Sequence, residues 1–417
     1  MTAIHPFTVV FLAFLIGGTA FRVWLGARQT RAMRSNRAAV PAPFDAQISL
    51  DDHQKAADYT AASTRLQMVD TIVDALLLVG WTLGGGIALL DRLWSAADLG
   101  PLVTGVAVIM SALLLMTVLA LPASLYRTFG IEERFGFNKT TPGLFVSDTL
   151  KGLVLTALLG TPLLAVILWL MGQAGSLWWF YAWLVWTAFT LLMTWAYPTL
   201  ISPLFNTFSP LDNPSMKSRI EALLERCGFR SKGIFVMDGS RRSAHGNAYF
   251  TGIGNNKRIV FFDTLIDTLD EGEVEAVLAH ELGHFRKRHV RQRLIVSVFA
   301  SLAGLASLGW LVERGWFYSA LGVPTPSNHT ALLLFLLAVP VFTFALTPLS
   351  AFWSRRHEFE ADAYAAEQSN PDALIQALVK LYRDNATTLT PDPVHSGFYD
   401  SHPPAPVRVA RLQQLAS

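Results

Sequence analysis

Seven stretches of the chain, roughly residues 7–27, 68–90, 102–125, 149–172, 177–200, 291–312 and 330–352, are apolar over about the length that crosses a bilayer. Backbone exposed to lipid must satisfy its own hydrogen bonds, so each stretch reads as a membrane helix. Composition agrees: 52% of the 417 residues are hydrophobic and 15% are charged, well below the share in an ordinary soluble domain. Mean hydropathy is +0.37. The net charge of +2 gives no electrostatic footprint for a nucleic acid, and none is expected as a partner. The first stretch has no basic region before it and is followed by Arg22 and a dense basic tract, so it reads as an anchor and not as a cleaved leader. The single cysteine, Cys227, continues the apolar stripe Ile220, Leu223, Leu224 of a helix and is expected to pack in a core.

Lys and Arg set the orientation. Arg28, Arg31, Arg34, Arg37, Lys55 and Arg65 follow the first span, Arg127, Arg134 and Lys139 follow the third, and 201–290 is basic throughout. The alternate connections carry Arg92, nothing and Arg314. The N-terminus is therefore expected outside, with the large polar segments and the C-terminus in the cytoplasm. Four parts follow: 1–206 with spans one to five, 207–290 as a cytoplasmic α+β insert, 291–352 with spans six and seven, and 353–417 as a C-terminal cytoplasmic segment. The fold class is thus mainly α and polytopic. Within the insert, Asn213-Pro214 predicts a helix start, and a helix running to about Gly228. Strands are expected at 233–238, 246–252 and 257–262, and Asp270 with Glu273 predicts a capping box that opens a helix running to about 288. The stretch 35–60 is polar and is expected to be partly mobile. Arg286, Lys287, Arg288 and His289 read as the membrane boundary of span six.

The helix after Asp270 carries His280-Glu281-Leu-Gly-His284. Histidines four apart lie on one face, one turn from each other, and both can reach one zinc ion; the glutamate between them projects beside the metal, as suits a general base. A catalytic zinc takes three protein ligands and keeps one open position. The third ligand is sought in Ser354-Arg-Arg-His357-Glu358-Phe-Glu360-Ala-Asp362, where Glu358 and Asp362 share a helix face. Glu358 would bind the ion, and Asp362 would hold a ligand histidine and fix its tautomer. Spacing leaves His357 and Glu360 as rivals for the third position.

The chain resembles the type I CAAX prenyl endopeptidases, integral-membrane zinc metalloproteases. The resemblance rests on Glu133-Arg-Phe-Gly-Phe-Asn138 with Asp148 and Lys151, on Pro198-Thr-Leu-Ile-Ser-Pro-Leu-Phe-Asn-Thr-Phe208, and on Ser240 to Phe250 around Asn247. It continues through the two metal motifs to Ser401-His402-Pro403-Pro404 and Arg408. The resemblance implies seven tilted helices enclosing a chamber, with a zincin-like metalloprotease insert at its cytoplasmic end. It implies His280, His284 and Glu358 as ligands of one zinc per chain, Glu281 as base and Asp362 behind a ligand. It further implies that His402 faces the scissile carbonyl, that Arg408 helps hold the site together, and that Asn247 and Ala248 pair with an extended substrate.

The activity so implied is hydrolysis of peptide bonds near the C-terminus of prenylated CAAX-type or membrane-associated polypeptides. The expected partners are that peptide or protein substrate and the lipid bilayer, with the chain acting as a monomer. The compact, alanine-rich chain with short outer loops points to a bacterial inner membrane. There the substrates would instead be misfolded or stalled membrane proteins, with no prenyl specificity. The competing class is a multi-pass transporter with an incidental His-Glu-x-x-His. It predicts ionisable residues deep in the spans and matched halves; here Asp70, Asp74, Lys151 and Arg293 fall near span ends, and no halves match.

Overall fold

The computed structural model describes residues 5–229, 231, 233–251 and 258–416. It is a multi-pass membrane protein of mostly helical structure with one small sheet. The membrane part contains α1 (Pro6–Asn36), α2 (Leu50–Trp81), α3 (Gly86–Ser95), α4 (Pro101–Tyr126), α5 (Pro142–Gln173) and α6 (Trp178–Ala196). The chain then forms β1 (Phe208–Pro210), α7 (Pro214–Arg226), β2 (Ile234–Met237), β3 (Ala248–Thr251), β4 (Arg258–Phe262), α8 (Asp263–Thr268) and α9 (Glu271–Arg286). It re-enters the membrane through α10 (His289–Leu311), α11 (Gly315–Ala320), α12 (Asn328–Thr343) and α13 (Thr347–Gln368), and closes with α14 (Pro371–Asp384), α15 (Pro393–Tyr399) and α16 (Ala405–Ala416).

Among the described residues, six helical segments are long and apolar enough to cross a membrane. The seventh expected span, 68–90, is not one helix. It is the pair α2 and α3, bent by 46°. The apolar pattern runs through the break, but Gly84-Gly85-Gly86 interrupts it, and Gly85 adopts a φ of +80°. A left-handed residue of this kind ends α2 and lets α3 leave at an angle. The stretch 35–60 also differs from expectation. Ser49 caps α2, which is helical from Leu50, and Phe44 and Ile48 are buried in the core beside the sheet.

Among the described residues two large cores hold the molecule, with two smaller clusters beside them. One joins α3, the starts of α1, α4, α6 and α12, and the ends of α5 and α10, all at the membrane end remote from the sheet; Ile109, Leu308 and Leu334 are fully buried in it. There, too, His329 of α12 bonds Asp91 of α3 at 2.7 Å. The other core packs α7, α9, α14 and α16 with β2 and β4. Between the cores the membrane helices bury little. Only 6% of the most apolar window of α10 and 11% of that of the segment containing α6 is buried. Their surfaces are left largely exposed, as suits contact with lipid. A cavity of about 500 Å³ lies between α2, α4 and α12.

The sheet order is β1-β2-β4-β3, with β2 and β4 parallel and the outer pairs antiparallel. The expected strands are present as β2, β3 and β4, residues 252 and 257 of the expected spans lie outside the described residues, and β1 is added. β3 is therefore an edge strand. The helix starts are those the caps predict: Asn213 accepts from the Met216 N–H, and Asp270 and Glu273 form a reciprocal capping box. Cys227 is buried in the core. Arg242 ties the membrane and sheet parts together. It donates to both oxygens of Asp148 on α5, to Asn206 Oδ1 and to the Phe205 carbonyl, while Lys151 donates to the Leu204 carbonyl.

α9 and α13 cross in close contact. A Cβ on Gly283 would lie 2.9 Å from Ala361 Cα and 3.0 Å from its carbonyl oxygen, so the two backbones touch where α9 has no side chain. Gly283→Ala is expected to cost about 1–3 kcal/mol, the usual penalty of overpacking. Denaturation of the purified protein in detergent measures this, and metal content should fall with it; an unchanged midpoint would show that the crossing tolerates a methyl group.

Candidate metalloprotease active site

The close crossing faces the third and fourth turns of α9 toward the middle of α13. His280 is buried and His284 half-buried, and their Nε2 atoms lie 3.2 Å apart. Glu358 enters from α13, with Oε2 3.5 Å from His280 Nε2 and Oε1 3.3 Å from His284 Nε2. One atom from each of the three lies within 4.8 Å of the others. Glu358 Oε2 is buried and accepts no hydrogen bond. A buried carboxylate oxygen left bare beside two imidazole nitrogens is the donor set of a divalent cation such as zinc. The residues present therefore fit a metal.

Behind His280 the site is braced. His280 Nδ1 lies 2.8 Å from Asp362 Oδ1, one turn along α13 from Glu358. Asp362 is gripped by Arg408 of α16, which donates from Nε at 2.9 Å and from Nη2 to the other oxygen. Arg408 is 6% exposed. Burial opposes its charge, but Asp362 outweighs this and holds the guanidinium above its ordinary pKa. His280 behaves alike. Burial disfavours its charged form, yet hydrogen bonds to Asp362 and Glu358 prevail and raise its pKa to about 9. The centre thus attracts positive charge. Glu281 is lifted above the ordinary carboxylate range by burial, against the pull of His280 and His284.

The other expected residues fall around this centre. His402 has its Nε2 3.6 Å from Glu358 Oε1. Ala248 begins the edge strand β3, and Asn247 immediately precedes it. They line two cavities that meet at His280, Glu281, Glu358 and His402. The first cavity, of about 440 Å³, opens toward the membrane helices at Thr194, Val290 and Arg293. The second, of about 330 Å³, is walled by Leu265, Val277, Leu374, Leu378 and Tyr382 of the sheet-side core. All nine residues singled out from the sequence are thus brought together. The two rivals for the third position are not at the centre. His357 Nε2 meets Gln292 Oε1 at 3.1 Å, and Glu360 accepts from Arg356 and faces His289. His289, which opens the membrane helix α10 as the sequence reading placed it, also lies 3.0 Å from His284, Nδ1 to Nδ1. A third histidine five residues past the pair was the available signal.

Two family models match the chain. One, described as the CAAX prenyl protease N-terminal region with five membrane helices, covers residues 29–207; the other, peptidase family M48, covers 210–416. The CAAX prenyl protease 1 homolog of Arabidopsis thaliana is 33% identical, covering 98% of this chain and 97% of the relative. CAAX prenyl protease 1 of Saccharomyces cerevisiae is 34% identical, over 72% of this chain and 70% of its own. The crystal structure of S. mikatae Ste24p matches with a TM-score of 0.89 and 28% identity, covering 98% of this chain and 99% of that one.

Removing Arg408 leaves Asp362 buried with half its partners. Arg408→Leu is expected to cost about 3–5 kcal/mol, as for breaking a buried ion pair. Urea or thermal unfolding checks this; a loss below about 1 kcal/mol would mean that His280 alone satisfies Asp362.

Proposed function

Because this chain belongs to the CAAX prenyl protease 1 family of membrane-bound M48 metallopeptidases, we propose that it is a zinc endopeptidase cutting near the C-terminus of prenylated CAAX-type polypeptides. The observation that carries the site assignment is the convergence of Glu358 on His280 and His284, with Glu281 on the wall of both adjoining cavities. In this reading His280, His284 and Glu358 hold one zinc. When bound, the ion supplies Lewis acidity that polarises a carbonyl and brings the pKa of water near 7.

The remaining work falls to the chain. Glu281 accepts a proton from the attacking water and returns it to the leaving amine; its raised pKa suits both directions. His402 donates to the oxygen on which negative charge develops. Asp362, held by Arg408, fixes His280 with Nδ1 protonated and Nε2 free. The open edge of β3 at Asn247 and Ala248 accepts an extended peptide as an added strand. That strand would run from the membrane-side cavity past the metal into the apolar sheet-side cavity. A lipid on the substrate would then rest among the membrane helices, and aliphatic residues beyond the cut would fill the pocket of Leu265, Val277 and Leu378.

In the proposed topology the N-terminus lies outside and the site faces the cytoplasm, following the Lys and Arg of the connections. A single chain supplies every ligand, so the working unit is a monomer. The division into 1–206, 207–290, 291–352 and 353–417 separates the two membrane parts from the two parts that build the centre.

Glu281→Gln is expected to keep about one zinc per chain while cleavage of a farnesylated CAAX peptide falls by a factor on the order of a hundred or more. Zinc content of both purified proteins, with the peptide assay, checks this. Normal turnover by the variant would remove Glu281 as base. Zinc bound with the peptide uncut by wild type would redirect the substrate search to unfolded membrane proteins.

A further inference from the structure

His289 is the first residue of α10 and is 1% exposed. It comes to the centre because the chain turns sharply after α9. Arg288 takes a left-handed φ of 64°, which separates α9 from α10 and starts α10 beside the end of α9. The ring then has partners at both nitrogens and on one face. Its Nδ1 lies 3.0 Å from His284 Nδ1, and its Nε2 lies 3.1 Å from Glu360 Oε2. His357 stacks on it with centroids 3.9 Å apart and planes within 9°, and His357 is itself held by Gln292. Glu360 is steadied by Arg356 Nε at 3.2 Å.

Proton accounting gives this arrangement one consistent form. If His284 presents the lone pair of Nε2 to the metal, its proton sits on Nδ1. That N–H then donates to His289 Nδ1, which must carry a lone pair. The His289 proton is therefore on Nε2, where it donates to the Glu360 carboxylate. We infer that His289, backed by Glu360, is the positioning residue for His284. It fixes the tautomer and the plane of that imidazole through an imidazole–carboxylate pair in which the imidazole is buried and the carboxylate half-buried. The inference rests on the reading of His284 as a metal ligand. Each ligand histidine then ends on a carboxylate, His280 directly on Asp362 and His284 through an imidazole on Glu360. This gives Glu360 a task other than the ligand role for which its place in the sequence made it a rival.

The test is zinc affinity of the full-length protein in detergent, by competition with a chelator, with the thermal midpoint of each metal-free variant as a control for folding. His289→Ala should weaken zinc binding about 10–100-fold, the usual effect of losing such a partner, with the metal-free midpoint near that of wild type. His289→Gln, whose amide can accept from His284 and donate to Glu360, should recover part of the loss. Glu360→Gln should lose less than His289→Ala. Unchanged affinity in His289→Ala overturns the inference. So does equal weakening in the Ala and Gln variants together with a lowered metal-free midpoint, which would make His289 a packing residue. His284→Ala is the separate control: zinc retained there would remove the ligand assignment on which this inference depends.

Discussion

The contact of Gly283 with the backbone of Ala361 is the constraint from which the centre follows. Two helices can bring side chains of both into one small volume only if their axes are close, and axes approach closely only where a side chain is missing. Here the missing side chain lies between Leu282 and His284 of α9. The contact residue on α13 lies three positions after Glu358 and one before Asp362. The histidine pair on one helix and the acid pair on the other therefore face each other at hydrogen-bonding range. The capping box at Asp270 and Glu273 and the Asp362–Arg408 pair hold the two helices in this position.

The same economy of packing explains the membrane part. Its helices are fastened at the end remote from the sheet, and at the other end they are strapped to the sheet domain through Arg242 and Lys151. Their middle segments bury little, so the bilayer sees apolar side chains. In lipid this costs less than in water, because a helix there gains little hydrophobic free energy by leaving hydrocarbon for a neighbour. A loosely packed membrane part can thus persist without the collapse that an aqueous core would undergo.

Much of this is legible in the sequence because the signals are local. Hydropathy is summed residue by residue, which is why six spans and the caps at Asn213 and Asp270 stand where the sequence places them. The facing of His280 and His284 follows from helical period alone. What is not legible depends on contact between distant segments. The second span reads as continuous because apolar residues cross the break, and only the run Gly84-Gly85-Gly86 marks it. β1 has three residues and no period to detect. Which of His357, Glu358 and Glu360 faces α9 depends on the rotation of α13 about its axis. That rotation is set by Gly283 and Ala361, not by spacing within the motif. The contact of His289 with His284 was hidden for a related reason: it depends on a left-handed residue at Arg288 between α9 and α10, and a basic run before an apolar helix reads only as a membrane edge.

The centre is also discontinuous along the chain. α9 bears two of the three groups that close around the proposed cation site; the third arrives only after two more membrane helices, and the brace from Arg408 follows it on α16. During synthesis the earlier segments fold first. On the proposed reading, a nascent chain whose sheet and α9 are folded would still lack the acid ligand until α13 has been made and packed against α9. A chain cut short before α13 would then be a membrane protein without protease activity.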